Sequence, residues 1–251
     1  MARPNLFEAH MDQDDSECVR LLETLPGPGI QYLRLMLCNP QRSEAMPGQY
    51  CQLTNQTQRW TCNYISMPGA AGRFMVATRS VLALKVGDLL EYSGPLGSAW
   101  PVPLQSVRLL AITHGEGVLA LLCILDEVRC WLPWVEVRLL HGSFEQEHLP
   151  AECKPWISAF TSVPRNSRSV WSQLTEQLED FKPDTVYCCA PSLVARHAAR
   201  ICWQKGVPIQ RIWLRADHVS RPSWNCQFPL NGPVQRYDRI LEALNSPPPS
   251  D

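Results

Sequence analysis

The sequence lacks three features that would place the chain in a membrane, on nucleic acid or outside the cell. Its longest apolar run, 118–125, is far shorter than the roughly 20 residues that span a bilayer. Lys and Arg number 23 against 24 Asp and Glu, so no basic surface for a nucleic-acid backbone is expected. Residues 1–17 have no apolar centre of an export signal. We therefore predict a cytosolic protein that neither inserts into membranes nor binds nucleic acid.

Motifs that mark several enzyme classes and metal sites are also missing. No C-x-x-C pair, G-x-S-x-G elbow or G-K-S/T loop occurs, which argues against cysteine-pair zinc sites, elbow-type serine hydrolases and P-loop enzymes. His141 and His148 stand seven positions apart, which is not a metal-ligand spacing.

Cysteine is present but not abundant. Eleven residues are about 4% of the chain, below the level of a disulfide-built secreted scaffold, and the odd count leaves at least one thiol unpaired. Four cysteines stand in apolar runs, where a reduced thiol behaves as a small hydrophobic residue: Cys38, Cys123, Cys130 and Cys202. We predict that these four are core residues.

The first hundred residues consist of short β-like runs separated by turn residues, without helical periodicity. Pro26-Gly27-Pro28-Gly29 is typical of a chain reversal between the first two runs. The predicted strands are 16–24, 29–38, 50–54, 63–66, 73–78 and 88–93. Six short strands predict a small antiparallel barrel over residues 1–103.

From residue 104, uninterrupted apolar strands alternate with amphipathic segments of helix length, a pattern typical of a parallel α/β sheet. The predicted strands are 107–113, 135–140, 157–163, 185–189 and 210–215, and the predicted helices are 118–130, 169–181 and 192–206. We predict an α/β domain over 104–215, followed by a tail over 216–251 with a packing helix at 234–244.

The sharpest local motif is the G-x-G-x-x-A stretch 115–120, which follows a predicted strand and opens a predicted helix. In that context glycines let the backbone approach a pyrophosphate, whose charge a helix N-terminus favours. His114, Gly115 and Gly117 are therefore candidate contacts to a dinucleotide. The next strand ends at His141-Gly142, without the acid that binds ribose in a standard NAD-binding domain. A tight turn that needs glycine for packing alone is the alternative.

Several motifs together resemble the ferredoxin reductase superfamily of flavoproteins. Residues 46–50, M-P-G-Q-Y, are similar to its P-G-Q-F/Y strand start, and 84–97, with L-K-V-G-D and G-P-L-G, are similar to its barrel closure. Cys189-Ala190-Pro191 stands where the family has C-G-P beside the nicotinamide, and 231–238 is similar to its D-G-P-V ending. The resemblance points to one branch, which includes the electron-transfer subunits of dihydroorotate dehydrogenase and anaerobic sulfite reductase and the gamma subunit of cytosolic hydrogenase.

The resemblance implies a six-stranded FAD-type barrel before a parallel-sheet NAD(P)-binding domain, with FAD between them. The family's R-x-Y-S motif, whose arginine contacts the FAD phosphates, is matched only in part at 59–62 or in a register shifted to 60–65. The candidate flavin contacts are Arg59, Thr61, Cys62 and Tyr64. Cys189 is the candidate catalytic residue beside the hydride path, with a packed core thiol as the alternative.

The branch also carries a 2Fe–2S cluster held by four thiolates, three of them spaced C-x4-C-x2-C. In the matching stretch, 220–227, Cys226 is the only cysteine. One thiolate cannot hold a cluster that needs four ligands, so we predict no 2Fe–2S cluster and no other metal.

The sequence therefore predicts a flavin-dependent NAD(P)H oxidoreductase or electron-transfer subunit. It would move electrons between NAD(H) or NADP(H) and a partner redox subunit through FAD. Two alternatives stay open: a non-catalytic structural or regulatory subunit that keeps the fold, and a small reductase that uses exchangeable flavin.

Overall fold

The computed structural model describes residues 17–27, 30–39, 45–78, 82–142, 159–163, 167–215 and 233–245. They form a barrel and a mainly parallel sheet with helices, which are joined by the segment between Leu96 and Arg108. The domain borders at residues 103 and 215 stay predictions.

Six antiparallel strands close into the barrel, in the order β1-β2-β5-β4-β3-β6. The strands are β1 (Glu17–Gly27), β2 (Ile30–Leu37), β3 (Tyr50–Thr54), β4 (Arg59–Ser66), β5 (Arg73–Thr78) and β6 (Leu89–Leu96). Because side chains alternate along a strand, every second residue enters the interior. The predicted six-stranded antiparallel barrel is confirmed.

The barrel interior is apolar except for a small cluster of thiols and phenols. Cys51 and Cys62 stand opposite each other on β3 and β4, and both are fully buried. The hydroxyls of Tyr64 and Tyr92 are hydrogen-bonded to each other beside the Phe74 ring. The inward side chains of β4 are thus packed within the barrel core.

The second sheet has the order β12-β11-β10-β7-β8-β9, and all neighbouring pairs are parallel except β11 with β12. Its strands are β7 (Arg108–His114), β8 (Glu136–Gly142), β9 (Ala159–Val163), β10 (Thr185–Cys189), β11 (Ile212–Arg215) and β12 (Val234–Arg236). The predicted parallel α/β architecture is confirmed.

The helices are α1 (Leu122–Trp131), α2 (Ser167–Phe181), α3 (Ser192–Gln204) and α4 (Tyr237–Asn245). Two differ from the prediction. The segment after β7 begins as a 3-10 helix, Gly115–Ala120, and becomes α-helical only at Leu122. The predicted helix over 234–244 begins with strand β12, because residues 234–236 pair with β11. None of the helices in the described ranges is long and apolar enough to cross a membrane.

Two of the four cysteines predicted to be core residues are exposed: Cys38 and Cys130. Cys38 follows the end of β2, and Cys130 lies on the outer side of the last turn of α1. The prediction was wrong for these two cysteines because the apolar run in the sequence extends beyond the buried part of the strand or helix. Cys123 and Cys202 are buried as predicted.

Alkylation of the native chain should separate the described cysteines by burial. We expect iodoacetamide at mildly alkaline pH to label Cys18 and Cys38 first, since both are exposed. Cys130 should react more slowly, because the Asp126 carboxylate raises the pKa of its thiol. Peptide mapping by mass spectrometry measures the order. Fast labelling of Cys51 or Cys62 in the folded chain would contradict the closed barrel.

Candidate functional site

The carboxyl ends of three parallel strands meet at one edge of the sheet. β7, β10 and β11 end at His114, Cys189 and Arg215. In open α/β sheets this is the edge at which ligands bind. Here it faces the barrel, since the guanidinium of Arg215 donates a hydrogen bond to the carbonyl oxygen of Gly48.

A row of side chains on the barrel's outer face turns toward this edge. Strand register places Tyr32, Ala77, Asn63 and Tyr50 side by side across β2, β5, β4 and β3. Tyr32 and Ala77 pack in the same apolar cluster as Cys189. We call the place where this row meets the sheet edge the junction.

Trp100 connects the two halves of the molecule beside the junction. Its ring stacks on that of Tyr187 with 5.1 Å between centroids and an angle of 23° between planes. Its indole Nε1 donates a hydrogen bond to the Ala120 carbonyl oxygen over 2.8 Å. Gly48 has a φ of +96°, and a Cβ there would overlap the Trp100 ring, so the predicted P-G-Q turn is shaped to receive this tryptophan.

A second connection runs through α1. The thiol of Cys123 donates a hydrogen bond to the backbone carbonyl oxygen of Tyr64 over 3.0 Å. Ile65, the next residue of β4, is buried in the cluster that includes Val118 and Leu119. The start of α1 and the end of β4 are therefore packed directly against each other.

The four candidate flavin contacts divide between the two faces of β4. Arg59 and Thr61 are exposed on the outer face. Cys62 and Tyr64 point into the barrel, where burial raises the pKa of the Tyr64 phenol well above its usual range. Arg59 and Thr61 are therefore accessible to a ligand on the outer face, whereas Cys62 and Tyr64 are shielded within the barrel core.

The glycine turn after β7 is tight on one side and open on the other. A Cβ on Gly117 would overlap the Cys189 carbonyl oxygen and lie 2.9 Å from the carbonyl carbon. Gly115 has a φ of +54°, and no atom lies within 4 Å of its Cβ position. Gly117 thus serves packing against β10, and Gly115 leaves room for an approaching group.

Replacing Gly117 by alanine should strongly destabilise the fold, because its Cβ would collide with backbone atoms that cannot move aside. We expect a loss of about 3 kcal/mol in the free energy of unfolding. Gly69→Ala is the control, since no atom lies within 4 Å of that Cβ position and its φ is not in the left-handed region. Urea unfolding measures both, and equal midpoints would show that β10 is not packed as described.

Burial sets the protonation of the two titratable groups predicted for the nicotinamide side. It lowers the pKa of His114, which is consequently a neutral imidazole at neutral pH. It raises the pKa of Cys189 to about 12, although the Arg215 guanidinium opposes the shift. Cys189 therefore holds its proton and is not a thiolate nucleophile.

Two junction residues were missed by sequence reasoning. Asn63 is 2% exposed, and its side-chain oxygen Oδ1 has no hydrogen-bond partner in the described part of the chain. Arg215 is fully buried, and burial lowers its pKa without removing its charge. The alternation of β4 after Arg59 and Thr61 could have identified Asn63. The position of Arg215 at the end of an apolar strand does not by itself indicate that it belongs to the site.

The closed barrel and the mainly parallel sheet together match known structures. The fold is ferredoxin reductase-like. One solved structure is the flavohem-like FAD/NAD-binding domain of nitric oxide dioxygenase from Vibrio cholerae, with a TM-score of 0.65 at 16% identity over 80% of this chain and 98% of that chain. Another is the cytochrome b5 reductase domain of Ulva prolifera nitrate reductase, with a TM-score of 0.59 at 14% identity over 79% and 96%.

A third similar structure is the ferredoxin reductase in carbazole 1,9a-dioxygenase, with a TM-score of 0.63 at 17% identity over 81% of this chain and 69% of that chain. No protein-family model and no curated protein matches the sequence. Identities this low support the shared fold and leave the site to be argued from its own residues.

Within the described ranges, no group of three His, Cys, Asp or Glu side chains could hold a metal ion. Cys226, the one remnant of the predicted cluster motif, lies outside those ranges. The absence of a 2Fe–2S cluster stays a prediction.

Proposed function

We propose that the chain is a flavin-dependent NAD(P)H oxidoreductase or electron-transfer subunit. FAD would lie along the outer face of β4, and NAD(H) or NADP(H) would lie at the carboxyl edge of the sheet. One observation carries the proposal: Ile65 and Ala77 on the barrel's outer face pack in the same cluster as Cys189 at the end of β10, and Arg215 at the end of β11 is hydrogen-bonded to Gly48 of the barrel. Two ring systems held there would lie against each other.

The barrel side fits FAD. Arg59 is exposed and has no ion pair within the described ranges, so its guanidinium can meet the pyrophosphate, and the Thr61 hydroxyl lies two residues along the same face. Asn63 stands four positions after Arg59 along the strand, which is a distance of about 13 Å. The unpartnered Oδ1 of Asn63 supplies an acceptor at the junction end of that face.

The sheet side fits a nicotinamide dinucleotide. The open space at Gly115 admits a phosphate or ribose close to the backbone. The neutral imidazole of His114 can donate or accept one hydrogen bond, and the buried Cys189 side chain lies at the end of β10. These residues would position the nicotinamide and exclude water, without a covalent step on the thiol.

Bound FAD would supply the hydride-accepting and electron-releasing chemistry. The protein's task is to hold the rings in register and to leave an exit toward a partner redox subunit. The branch that includes the dihydroorotate dehydrogenase electron-transfer subunit is the proposed context, with electrons leaving from the flavin rather than through a cluster.

An FAD titration of the purified chain with Arg59→Ala tests the barrel side. We expect the variant to bind FAD roughly 10-fold to 100-fold more weakly, because a hydrogen bond to a charged group is worth about 1.5–3 kcal/mol. Arg73→Ala removes the same charge from an exposed site at the far end of β5, about 26 Å away along the strands. Quenching of flavin fluorescence measures both. Equal FAD affinities for the two variants would show that Arg59 does not contact FAD.

The second candidate function is a non-catalytic structural or regulatory protein. It is favoured by the apolar packing of Ile65, Trp100 and Tyr187 in one cluster, which joins barrel and sheet through protein contacts alone. A chain of this kind would be stable without FAD, and its fluorescence would not change on adding FAD.

A further inference from the structure

We propose that Asn63 recognises the imide edge of the flavin ring, with its Oδ1 accepting a hydrogen bond from the ring's imide N–H. This inference rests on the proposed function, because it assigns a specificity-determining contact within the same site. Arg215 would contribute positive charge and N–H donors to the neighbouring ring carbonyls.

The position of Asn63 follows from the alternation of β4. Cys62 and Tyr64 on either side of it enter the barrel core, so Asn63 belongs to the outer face. Its register partners are Ala77, which packs in the shared cluster, and Tyr50. The Asn63 side chain therefore lies within the junction.

Arg215 approaches the same place from the sheet. Its guanidinium donates a hydrogen bond to the carbonyl oxygen of Gly48, which lies two residues before Tyr50. Tyr50 is in turn the cross-strand neighbour of Asn63. An acceptor and a cation from the two halves of the molecule thus converge around Tyr50.

The unpartnered oxygen can accept a hydrogen bond from a ligand. A buried polar atom without a hydrogen bond is costly, so an N–H group that reaches Asn63 Oδ1 would be favoured. A flavin imide edge presents carbonyl, N–H and carbonyl in sequence. The amide oxygen of Asn63 would match the central N–H, and the guanidinium of Arg215 would match a flanking carbonyl. A site built to bond an N–H rejects the analogue that lacks it.

The test compares FAD with N3-methyl-FAD, which lacks the imide hydrogen, on the intact chain. The wild type should bind FAD at least 10-fold more tightly than the methylated form, by fluorescence quenching. Asn63→Leu should bind FAD about 10-fold more weakly than the wild type and should no longer distinguish the two ligands.

Unfolding without FAD gives a readout that a purely structural role would not reproduce. Asn63→Leu should leave the urea midpoint unchanged or raise it, because it removes an unsatisfied buried oxygen. Thr185→Val is the matched control: Thr185 is also buried, but its hydroxyl is hydrogen-bonded to Ser106 over 2.5 Å. That variant should lower the midpoint and keep the preference for FAD.

The outcomes separate the inference from the proposed function. Tight FAD binding with equal affinity for N3-methyl-FAD would overturn the role of Asn63 and leave the flavin site standing. A midpoint lowered by Asn63→Leu as much as by Thr185→Val would also overturn it, because Asn63 would then be a structural residue. No binding of either flavin would overturn both.

Discussion

Replacing Trp100 by alanine should reduce the free energy of unfolding by about 4 kcal/mol, the range measured for truncating a large buried side chain. Trp100 is 2% exposed, stacks on Tyr187 and donates its indole N–H to the Ala120 carbonyl oxygen. The change would leave a cavity between barrel and sheet and an unsatisfied carbonyl. Urea unfolding followed by circular dichroism is the measurement.

Trp131→Ala is the matched control, because Trp131 is 73% exposed at the end of α1. It should change stability by no more than about 0.5 kcal/mol. Trp100→Phe should fall between the two, since it keeps an aromatic ring and loses the hydrogen bond. Similar stabilities for Trp100→Ala and Trp131→Ala would show that barrel and sheet do not depend on this contact.

Arg215→Ala should lower the free energy of unfolding by about 3 kcal/mol, the second large effect, because it leaves a cavity and an unsatisfied buried carbonyl oxygen. The side chain is fully buried, and its removal leaves the Gly48 carbonyl without its donor and Cys189 without a neighbouring charge. Urea unfolding is the measurement.

The control for Arg215 is Arg20→Ala, an exposed arginine on β1. It should be close to neutral in stability. Arg215→Lys should recover part of the loss, because an ammonium can still donate to Gly48 but lacks the planar fork. If Arg215→Ala were as stable as Arg20→Ala, the guanidinium would not be a buried link between barrel and sheet.

The barrel could be predicted because its strands are short, alternate in polarity and end in turn residues. Two strands, Tyr50–Thr54 and Arg73–Thr78, have the predicted bounds. The parallel sheet was equally predictable, since its strands are continuous apolar runs. The 3-10 segment Gly115–Ala120 was not, because buried residues in it continue the apolar pattern of α1 and hide the change in helix type.

The site was only partly predictable. The sequence prediction began β4 at residue 63, whereas the strand begins at Arg59. Without residues 59–62 in the predicted strand, the sequence did not show which side chains of β4 point inward. Cys62 and Tyr64 were therefore chosen together with Arg59 and Thr61, although the two pairs lie on opposite faces of the strand. Asn63 can be assigned to the outer face only once the alternation of side chains along β4 is known.

The remaining part of the site depends on contacts between distant residues. Arg215 and Gly48 are 167 positions apart, and Trp100 is 20 positions from Ala120. Local propensity carries no information on such pairs. The motif P-G-Q identified the Gly48 turn as a family feature, but the arginine that reaches it became visible only in the folded chain.

The most direct measurement is the visible spectrum of the chain after incubation with FAD and gel filtration, followed by anaerobic addition of NADH or NADPH. We predict that the chain retains the yellow chromophore and that a reduced nicotinamide bleaches it. A colourless chain whose tryptophan fluorescence does not change when FAD is added would contradict a flavin site between barrel and sheet. That result would favour a non-catalytic structural or regulatory protein.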